Sequence, residues 1–357
     1  MKKCLALLLA LCLSLAALSG CAAAADEYTK YSSSFFGTFD TVVILIGYAK
    51  EEAAYDRAAQ EVRAQFERLH RVFDGYSGYK DVRNLYYLNR EAPAGRPVAV
   101  EPELMALLQY CKAMQPQTRG TVNVALGAAL SLWHDAREAL EATGDAADLP
   151  KIEALARAAE HANLDDVLLD PDTNTVTFLD PALRLDLGAV AKGYAAELVA
   201  QWLLASEMPS FILSAGGNVR VGMPPLDGRA SWVVSVQDPG SLDSFDPGTG
   251  YVELLYVNNT SVVTSGDYQR YVLIDGVRYH HLISPDTLMP AAFVRAVTIV
   301  TEDSGYADLL STAAFLMPYE ESRAFIDALE GVEALWVLTD DSLVMTDGLK
   351  PLAGSQR

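Results

Sequence analysis

Two segments far apart in the sequence carry side chains that could bind a phosphorylated ligand. The first, 186–193 (Asp-Leu-Gly-Ala-Val-Ala-Lys-Gly), places Asp186 and Lys192 around the start of an apolar-periodic helix predicted from about Ala189 to Leu204. A glycine ahead of a helix lets the backbone approach a ligand closely, and free amides there favour anionic groups. The segment suits a large polar ligand with a pyrophosphate, although a solvated lysine near a helix start is also commonplace.

The second segment, 307–312 (Ala-Asp-Leu-Leu-Ser-Thr), lies within a helix predicted over 304–317. Asp308 and Thr312 are four residues apart, so their oxygens share one face of that helix. A carboxylate with a hydroxyl is a hard-oxygen pair that suits Mg²⁺, which keeps its other positions for water and phosphate. The alternative is a surface aspartate beside a threonine that bonds to its own helix backbone.

A pair of adjacent histidines offers a candidate base. His280 and His281 follow a hairpin whose turn, Asp275-Gly276, is a strong two-residue turn signal. Neighbours in a strand point to opposite faces, so one histidine is expected to face the site, where a neutral imidazole accepts a hydroxyl proton. A packed or surface histidine remains the alternative.

Two N-terminal segments hold further candidates. Tyr76 follows a predicted helix, 51–73, on a loop where its ring could stack on a flat ligand ring. Asn123 lies after strand-like residues and could present its side-chain amide. Either residue could equally belong to the core or to a turn.

The first residues resemble an export signal. Two lysines precede an apolar run, 4–18, and the segment ends in Leu-Ser-Gly-Cys21. This ending resembles the bacterial lipoprotein cleavage box. It implies a signal peptide over 1–21, a lipidated Cys21 and an extracytoplasmic protein anchored to a bacterial membrane through acyl chains. An ordinary signal peptide cut near residues 22–25, or a retained anchor, remains open.

Cysteine content and charge exclude two kinds of site and one kind of partner. Once the signal is removed and Cys21 is lipidated, only Cys111 remains, so neither an intramolecular disulfide nor a cysteine metal site is possible. Cys111 falls in an apolar helical pattern and is predicted to be buried packing. The net charge of −20 would repel nucleic acid, which is therefore excluded as a partner.

The order of predicted elements indicates one large α+β domain over 35–350, preceded by a flexible tether over 22–34. Strands are interrupted by long helices with few regular β-α-β units, a pattern typical of antiparallel sheets with packed helices. The predicted strands are 41–48, 167–169, 176–179, 210–214, 231–237, 251–257, 260–264, 271–274, 277–279, 295–301 and a closing hairpin over 333–347. The predicted helices are 51–73, 101–115, two pieces within 136–162, 189–204, 304–317 and 319–329.

Taken in order, these segments resemble the ApbE-type FAD:protein FMN transferase family from about Phe36 to Met317. The segments that carry the resemblance are Phe36-Gly-Thr38, Phe73-Asp-Gly-Tyr76, Gly120-Thr-Val-Asn123, 186–193, Ser214-Ala-Gly-Gly217, Ser265-Gly-Asp-Tyr268, His281-Leu-Ile-Ser-Pro285 and 307–312. The resemblance implies a single ApbE-like catalytic domain. The residues that depart from the family pattern are Phe36 for methionine, Asn123 and Ser284 for aspartate, and Leu288 for a turn glycine.

The resemblance implies roles for individual residues. Asp308, Thr312 and the backbone carbonyl of Ala189 would hold Mg²⁺ against the FAD pyrophosphate. His281 would deprotonate a Thr or Ser hydroxyl of an exported redox protein, and that hydroxyl would attack the FMN phosphorus while AMP departs. The residues implied to bind FAD are Phe36, Tyr76, Thr121, Val122, Asn123, Asp186, Lys192 and Ile283.

Two other functions remain open. Water could replace the protein hydroxyl at the same phosphorus, which would make the protein a Mg²⁺-dependent FAD pyrophosphatase that yields FMN and AMP. A lipoprotein that binds flavin without chemistry is the alternative from a different class. Tyr76, in place of a small polar residue, favours the transferase.

Overall fold

The computed structural model describes residues 28–91, 93–241 and 250–356. Cys21 and the predicted signal peptide lie outside these residues, as does the first part of the predicted tether. Within the described ranges, no helix is both long enough and apolar enough to cross a membrane.

The described residues form the α+β fold of antiparallel strands and packed helices that the sequence predicted. The strands are β1 (Thr29–Thr38), β2 (Thr41–Ala49), β3 (Val98–Ala99), β4 (Val167–Asp170), β5 (Thr175–Phe178), β6 (Phe211–Ala215), β7 (Asn218–Val221), β8 (Trp232–Gln237), β9 (Tyr251–Val257), β10 (Thr260–Gly266), β11 (Tyr271–Ile274), β12 (Val277–His280), β13 (Ala296–Thr301), β14 (Glu333–Val337) and β15 (Leu343–Met345). The helices are α1 (Glu52–Phe73), α2 (Leu85–Arg90), α3 (Pro102–Met114), α4 (Gly127–Thr143), α5 (Ile152–Ala159), α6 (Ala191–Leu204), α7 (Ser304–Phe315) and α8 (Tyr319–Asp327).

One antiparallel sheet of eight strands organises the described residues, in the order β1-β2-β6-β7-β10-β13-β14-β15. Because side chains alternate along a strand, the sheet faces two separate cores. In β13, Val297 and Ile299 belong to the core that contains the apolar sides of α1, α6 and α7. Ala296 and Val300 belong to the opposite core, which contains the hairpin β8–β9. Both faces of the sheet are covered, and every residue of β13 is therefore buried.

The tether predicted over 22–34 is too long at its C-terminal end, and the folded domain begins before residue 35. Residues from Thr29 onward belong to β1, which pairs with β2. Tyr31 and Phe35 pack against the main core. The three serines between them gave this edge strand the polar composition of a linker, whereas the alternating aromatic residues place it in the sheet.

Helix α4 begins at Gly127, well before the predicted start near residue 136, and this shift matters for the site. Leu126 forms an isolated bridge with Arg184, and a Cβ on Gly127 would overlap the Arg184 carbonyl group. The glycine thus lets the first turn of α4 lie directly against the chain that leads into the 186–193 segment. The short elements α2, β3 and β7 were not predicted either.

Candidate functional site

A cavity of ≈ 560 Å³ lies among β2, the end of β10, the helices α4 and α7, and the first turn of α6. Its volume falls within the range that is typical of small-molecule sites. Most of the predicted site residues line it together, although they come from distant parts of the sequence. These residues are Tyr76, Thr121, Val122, Asn123, Asp186, Ala189, Lys192, His281, Ile283, Asp308 and Thr312.

Phe36 is the exception among the predicted site residues of the described chain. Its side chain is 72 % exposed and does not line the cavity. The neighbouring Phe35 packs into the core, so strand alternation turns Phe36 outward. The next turn of the chain instead brings Asp40 and Thr41 to the cavity wall.

Gly193 fixes the contact between the two segments that the sequence singled out. Its amide donates to Asp308 Oδ2 at 2.8 Å. A Cβ at residue 193 would overlap the Ser304 carbonyl oxygen and the Asp308 side chain. The first turn of α6 therefore holds a carboxylate of α7, and this glycine permits the close approach of the two helices. Gly188, the glycine ahead of the helix start that the sequence predicted for the approach of a ligand, lines the cavity.

Asp308 and Thr312 face the cavity from one side of α7. Asp308 is 4 % exposed, and burial raises the pKa of its carboxyl group. Thr312 Oγ1 lies 3.4 Å from Ser265 Oγ, and Ala189 also lines the cavity. Among the described residues, no three His, Cys, Asp or Glu side chains cluster as a metal site. One carboxylate with hydroxyl and carbonyl oxygens fits Mg²⁺, which takes remaining ligands from water and phosphate, better than it fits Zn²⁺.

Asp186 links the 186–193 segment to the loop that carries Tyr76. Its Oδ1 atom accepts the Gly188 amide at 2.7 Å, and its Oδ2 atom accepts the Tyr76 hydroxyl at 3.2 Å. The Asp186 charge, followed by burial, raises the pKa of Tyr76, so the phenol stays protonated and donates. On the other side of the turn, Lys192 Nζ lies 3.4 Å from the Gly188 carbonyl oxygen.

The Tyr76 ring is supported from one side and open on another. His134 of α4 packs against it, with ring centroids 4.3 Å apart and an interplanar angle of 32°. The Tyr76 side chain nevertheless remains 53 % exposed and lines the cavity. Its hydroxyl bond and its ring contact together hold the aromatic ring in one orientation, which suits a stacking surface.

His281 lies at the cavity wall in a defined tautomer. Its Nδ1 atom lies 3.1 Å from the Gln269 carbonyl oxygen. A carbonyl can only accept, so Nδ1 carries the proton and Nε2 keeps a free lone pair. Burial, followed by the charges of Lys192, Arg270 and Arg137, lowers the pKa of His281 to about 3. The imidazole is therefore neutral at physiological pH.

His280 points away from the cavity, as the strand alternation predicted for one of the two histidines. It is 3 % exposed, and its Nε2 atom lies 2.8 Å from the Ala291 carbonyl oxygen. Its ring meets Phe315 edge to face, with centroids 5.5 Å apart. His280 is thus a packed core residue.

Asn123, which departs from the family pattern, fits its surroundings as an amide. Its Nδ2 donates to the Ala162 carbonyl oxygen at 2.8 Å, and its Oδ1 accepts the Ala125 amide at 2.9 Å. An aspartate here could accept from Ala125 but could not donate to Ala162. Asparagine therefore holds the cavity wall to the end of the α5 region.

The other two departures lie in one turn beside Ile283. Ser284 Oγ accepts the Asp286 and Thr287 amides at 3.3 and 3.4 Å, a turn geometry that the side chain of aspartate also forms. Leu288 keeps a left-handed backbone, with φ of 57°, in the place of the family glycine. Its side chain is 8 % exposed, so burial offsets part of the backbone strain.

Arg137 and Arg270 line the cavity and were not predicted. The sequence did hold a signal for Arg137, because Leu130, His134 and Arg137 recur at the spacing of one helix face. That signal was missed because the helix was predicted to start only near residue 136.

Comparisons with known proteins agree with the family resemblance of the sequence. The chain matches the ApbE family over residues 36–336. It is 34 % identical over 318 residues to a protein of Treponema pallidum (strain Nichols) named FAD:protein FMN transferase, covering 85 % of this chain and 83 % of that protein. A Klebsiella pneumoniae (strain 342) protein of the same name is 29 % identical over 319 residues, covering 89 % and 91 %. The crystal structure of the ApbE protein of Thermotoga maritima superimposes with a TM-score of 0.75 at 28 % identity, covering 91 % of this chain and 99 % of that one.

The fold and the cavity define a protein with a site for a large phosphorylated ligand. A lysine, a carboxylate–hydroxyl pair and an exposed aromatic ring meet there on an antiparallel α+β scaffold. The chain belongs to the ApbE family, as the order of its sequence motifs predicted.

Proposed function

We propose that this protein transfers FMN from FAD to a serine or threonine hydroxyl of an exported redox protein, forming a phosphoester and releasing AMP. The observation that carries the proposal is the contact between the 186–193 segment and Asp308, which gathers the predicted site residues around one cavity. The names of the relatives in Treponema and Klebsiella support the same activity.

FAD would lie across the cavity with its charged and aromatic parts at different ends. Lys192 would neutralise a phosphate, since its ammonium group lines the cavity beside the first turn of α6. Tyr76 would stack on a ring of the ligand with the face that His134 leaves open. The residues that would form the wall between these ends are Thr121, Val122, Asn123 and Ile283.

The proposal includes Mg²⁺ beside the diphosphate. Asp308, Thr312 and the Ala189 carbonyl would hold the ion, because they form the hard-oxygen set described above. A bound Mg²⁺ would neutralise charge on the phosphate oxygens during transfer. A cation would also offset the cost of burying the Asp308 carboxylate, whose pKa is raised by burial.

His281 would act as the base. Its Nε2 lone pair accepts the proton of the acceptor hydroxyl, while the Nδ1 contact with the Gln269 carbonyl holds the ring in place. The hydroxyl oxygen bonds to the FMN phosphorus. The bond from that phosphorus to the bridging oxygen breaks, and its electron pair leaves with AMP.

One incubation separates this function from its two alternatives. The purified protein is mixed with FAD, Mg²⁺ and a candidate acceptor domain, and the products are separated by denaturing electrophoresis and chromatography. Flavin fluorescence that stays on the acceptor band supports transfer. AMP without labelled acceptor indicates FAD pyrophosphatase activity, and unchanged FAD indicates a binding protein; either result refutes the transferase.

The role of His281 is tested by His281→Ala. We expect transfer to slow by about 10²- to 10⁴-fold with FAD affinity retained, because a general base acts on the proton and not on FAD binding. His161→Ala, which changes a partly exposed histidine paired with Asp180, is the matched control and should transfer normally. If FAD affinity collapses in His281→Ala, the residue is structural.

The proposal extends to the location of the enzyme: an extracytoplasmic protein that is anchored to a bacterial membrane through lipid on Cys21. The Leu-Ser-Gly-Cys21 sequence supports it. Cys21→Ala should abolish incorporation of labelled palmitate and release the protein from the membrane fraction. Unchanged labelling in that variant would contradict lipidation at Cys21.

A further inference from the structure

Arg137 is a charged cavity residue that the proposed chemistry does not use. Its Nη1 atom is buried, yet it donates to no group in the part of the chain that the structure describes. A buried donor that has lost water without gaining an acceptor costs about 1 to 3 kcal/mol, and more when it is charged, so such atoms are rare. Because Arg137 lines the cavity, a ligand can supply the missing acceptor.

Asp186 stabilises the charge of this guanidinium but accepts no hydrogen bond from its Nη1 atom. The Asp186 charge raises the pKa of Arg137, but burial lowers it more. Both Asp186 oxygens already accept hydrogen bonds, from the Gly188 amide and the Tyr76 hydroxyl. Asp186 therefore holds the Tyr76 loop, and among the described residues neither it nor any other group accepts a hydrogen bond from the buried Nη1 atom of Arg137.

The cations that line the cavity are Lys192, Arg137 and Arg270, and the charge of each lowers the pKa of His281. Lys192 lies beside the first turn of α6, where its Nζ atom is 3.4 Å from the Gly188 carbonyl oxygen. Arg137 lies on α4, the helix whose His134 packs against Tyr76, and this position places it at the ring end of the cavity, the end that holds Tyr76.

Two side chains of α4 lie at the ring end of the cavity. His134 packs against one face of Tyr76, and Arg137 follows one turn later on the same helix. A flat ring on the open face of Tyr76 would have the guanidinium at its edge. A guanidinium is a planar fork that prefers two adjacent acceptors.

The two rings of FAD differ in what they offer such a fork. The isoalloxazine ring presents N1 and the C2 carbonyl oxygen side by side, and both accept. Adenine presents acceptor N7 next to an amino group that donates, so one arm of the fork would meet another donor. The fork therefore matches the flavin and not the adenine.

We propose that Arg137 recognises the acceptor edge of the isoalloxazine ring, through N1 and the C2 carbonyl oxygen, while that ring stacks on Tyr76. This inference rests on the function proposed above and adds a specificity-determining residue to the same site. It makes the ring end of the cavity selective for flavin.

The test measures the Kd values of FAD and ADP, both with Mg²⁺, for the wild type and Arg137→Met. Methionine keeps an unbranched apolar side chain and removes the charge. We expect the Kd of FAD to rise by about 10- to 100-fold, the effect of losing a hydrogen bond to a charged group, while the Kd of ADP stays within about twofold. An equal loss for ADP and FAD, or no loss for FAD, would overturn the inference.

Arg270→Met is the matched control. It removes the same charge from the same cavity, but Arg270 Nη2 already donates to the Phe39 carbonyl oxygen at 3.0 Å. We expect the ratio of the two Kd values to stay as in the wild type. If the ratio changes as much as in Arg137→Met, the effect comes from the electric field of the cavity and the inference fails.

The reduction potential of bound FAD gives a second measurement that a phosphate contact would not move. Reduced flavin carries negative charge at N1, which a guanidinium at that edge stabilises. The potential should therefore become more negative in Arg137→Met, and an unchanged potential would contradict the proposed contact. Arg137→Lys, which keeps the charge without the fork, provides a second folded variant and should recover only part of the FAD affinity.

Failure of this inference is distinguishable from failure of the proposed function. If the wild type and Arg137→Met bind FAD equally well and the wild type transfers FMN, only the assignment of Arg137 falls. If the wild type binds no FAD, the proposed function falls and the assignment falls with it.

Discussion

Two arginines of this protein differ in whether their buried guanidinium nitrogens have hydrogen-bond acceptors. Arg220 is 0 % exposed, and its guanidinium donates to Glu197 Oε2 at 3.1 Å, to the Val221 carbonyl oxygen and to Asn259 Oδ1 at 3.3 Å. Arg137 has a buried Nη1 atom with no acceptor in the described chain. Burial alone does not explain the difference, because the more buried arginine is the better paired. The fold supplies acceptors to a structural charge and leaves the charge beside the cavity for a ligand.

The Glu197–Arg220 pair lies one helical turn from the contact between Gly193 and Asp308 at the cavity. Glu197 Oε2 accepts the Ser304 amide at 2.8 Å, and one turn away along both helices the Gly193 amide donates to Asp308 Oδ2. These two contacts join α6 to α7 at positions one helical turn apart. Arg220 completes the contact at Glu197, whereas the contact at Asp308 faces the cavity. The ion pair therefore positions the helix that carries the proposed metal ligands.

Glu197→Ala tests the paired region and has the largest expected effect on stability. It leaves the Arg220 charge buried without its carboxylate, which lowers the free energy of unfolding by about 3 to 5 kcal/mol. Glu67→Ala removes an exposed acid that is paired with Arg63 and should cost about 0.5 kcal/mol or less. Urea denaturation measures both variants. A loss below 1 kcal/mol for Glu197→Ala would break the comparison.

Asp308→Asn tests the helix contact that faces the cavity. It keeps an oxygen for the Gly193 amide but removes the one charged metal ligand proposed, so turnover should fall by about 10³-fold, which equals about 4 kcal/mol, and Mg²⁺ should bind more weakly. The unfolding midpoint should hardly change. Asp327→Asn, on the exposed side of α8, is the control with normal turnover. Full activity of Asp308→Asn would refute the metal assignment.

Asn123→Asp extends the comparison to a neutral group that the fold pairs fully. The substitution sets a carboxylate against the Ala162 carbonyl oxygen, where the amide donates at 2.8 Å, and should cost about 1 to 3 kcal/mol of stability. In Asn163→Asp the side chain only accepts, from the Asp165 amide, so that change should be near neutral. Equal unfolding free energies for the two variants would show that the donor at residue 123 is unimportant.

The pH dependence of the free energy of unfolding tests whether the fold keeps His281 uncharged. Burial and the neighbouring cations lower its pKa to about 3 in the folded protein, whereas an unfolded chain has a value of about 6.5. Below pH 6.5, His281 binds a proton in the unfolded state but not in the folded state. Stability is therefore lost as the pH falls from about 6.5 toward 3, by up to about 1.4 kcal/mol per pH unit. Urea titrations between pH 7 and pH 5 should show a shallower slope for His281→Gln; an identical slope would contradict the shift.

The sequence predicted the individual residues of the site better than the contacts that bring them together. Asp308 and Thr312 share a helix face because of their spacing, and the Asp275-Gly276 turn sets the hairpin before His281. Local patterns of this kind depend only on neighbouring residues. The fold class followed in the same way from the order of strands and helices.

The features that could not be predicted from the sequence depend on contacts between residues that lie far apart in the chain. No local pattern shows that Gly193 must touch Asp308, or that the start of α4 lies against the backbone near Arg184. The spacing of Leu130, His134 and Arg137 was a local signal that the late predicted start of α4 concealed, whereas the position of α4 beside Tyr76 depends on distant contacts. Phe36 was predicted at the site but does not line the cavity, because strand alternation, and not the motif, decides which way its side chain points.

A crystal structure of the protein with FAD and Mg²⁺ tests most directly whether the charges left unpaired by the fold are the ones that bind ligand. The account predicts the diphosphate between Lys192 and the Mg²⁺ held by Asp308, and the isoalloxazine ring on Tyr76 with Arg137 donating to its N1 and C2 carbonyl edge. FAD bound elsewhere, or Arg137 Nη1 paired with a protein acceptor while FAD occupies the cavity, would contradict it.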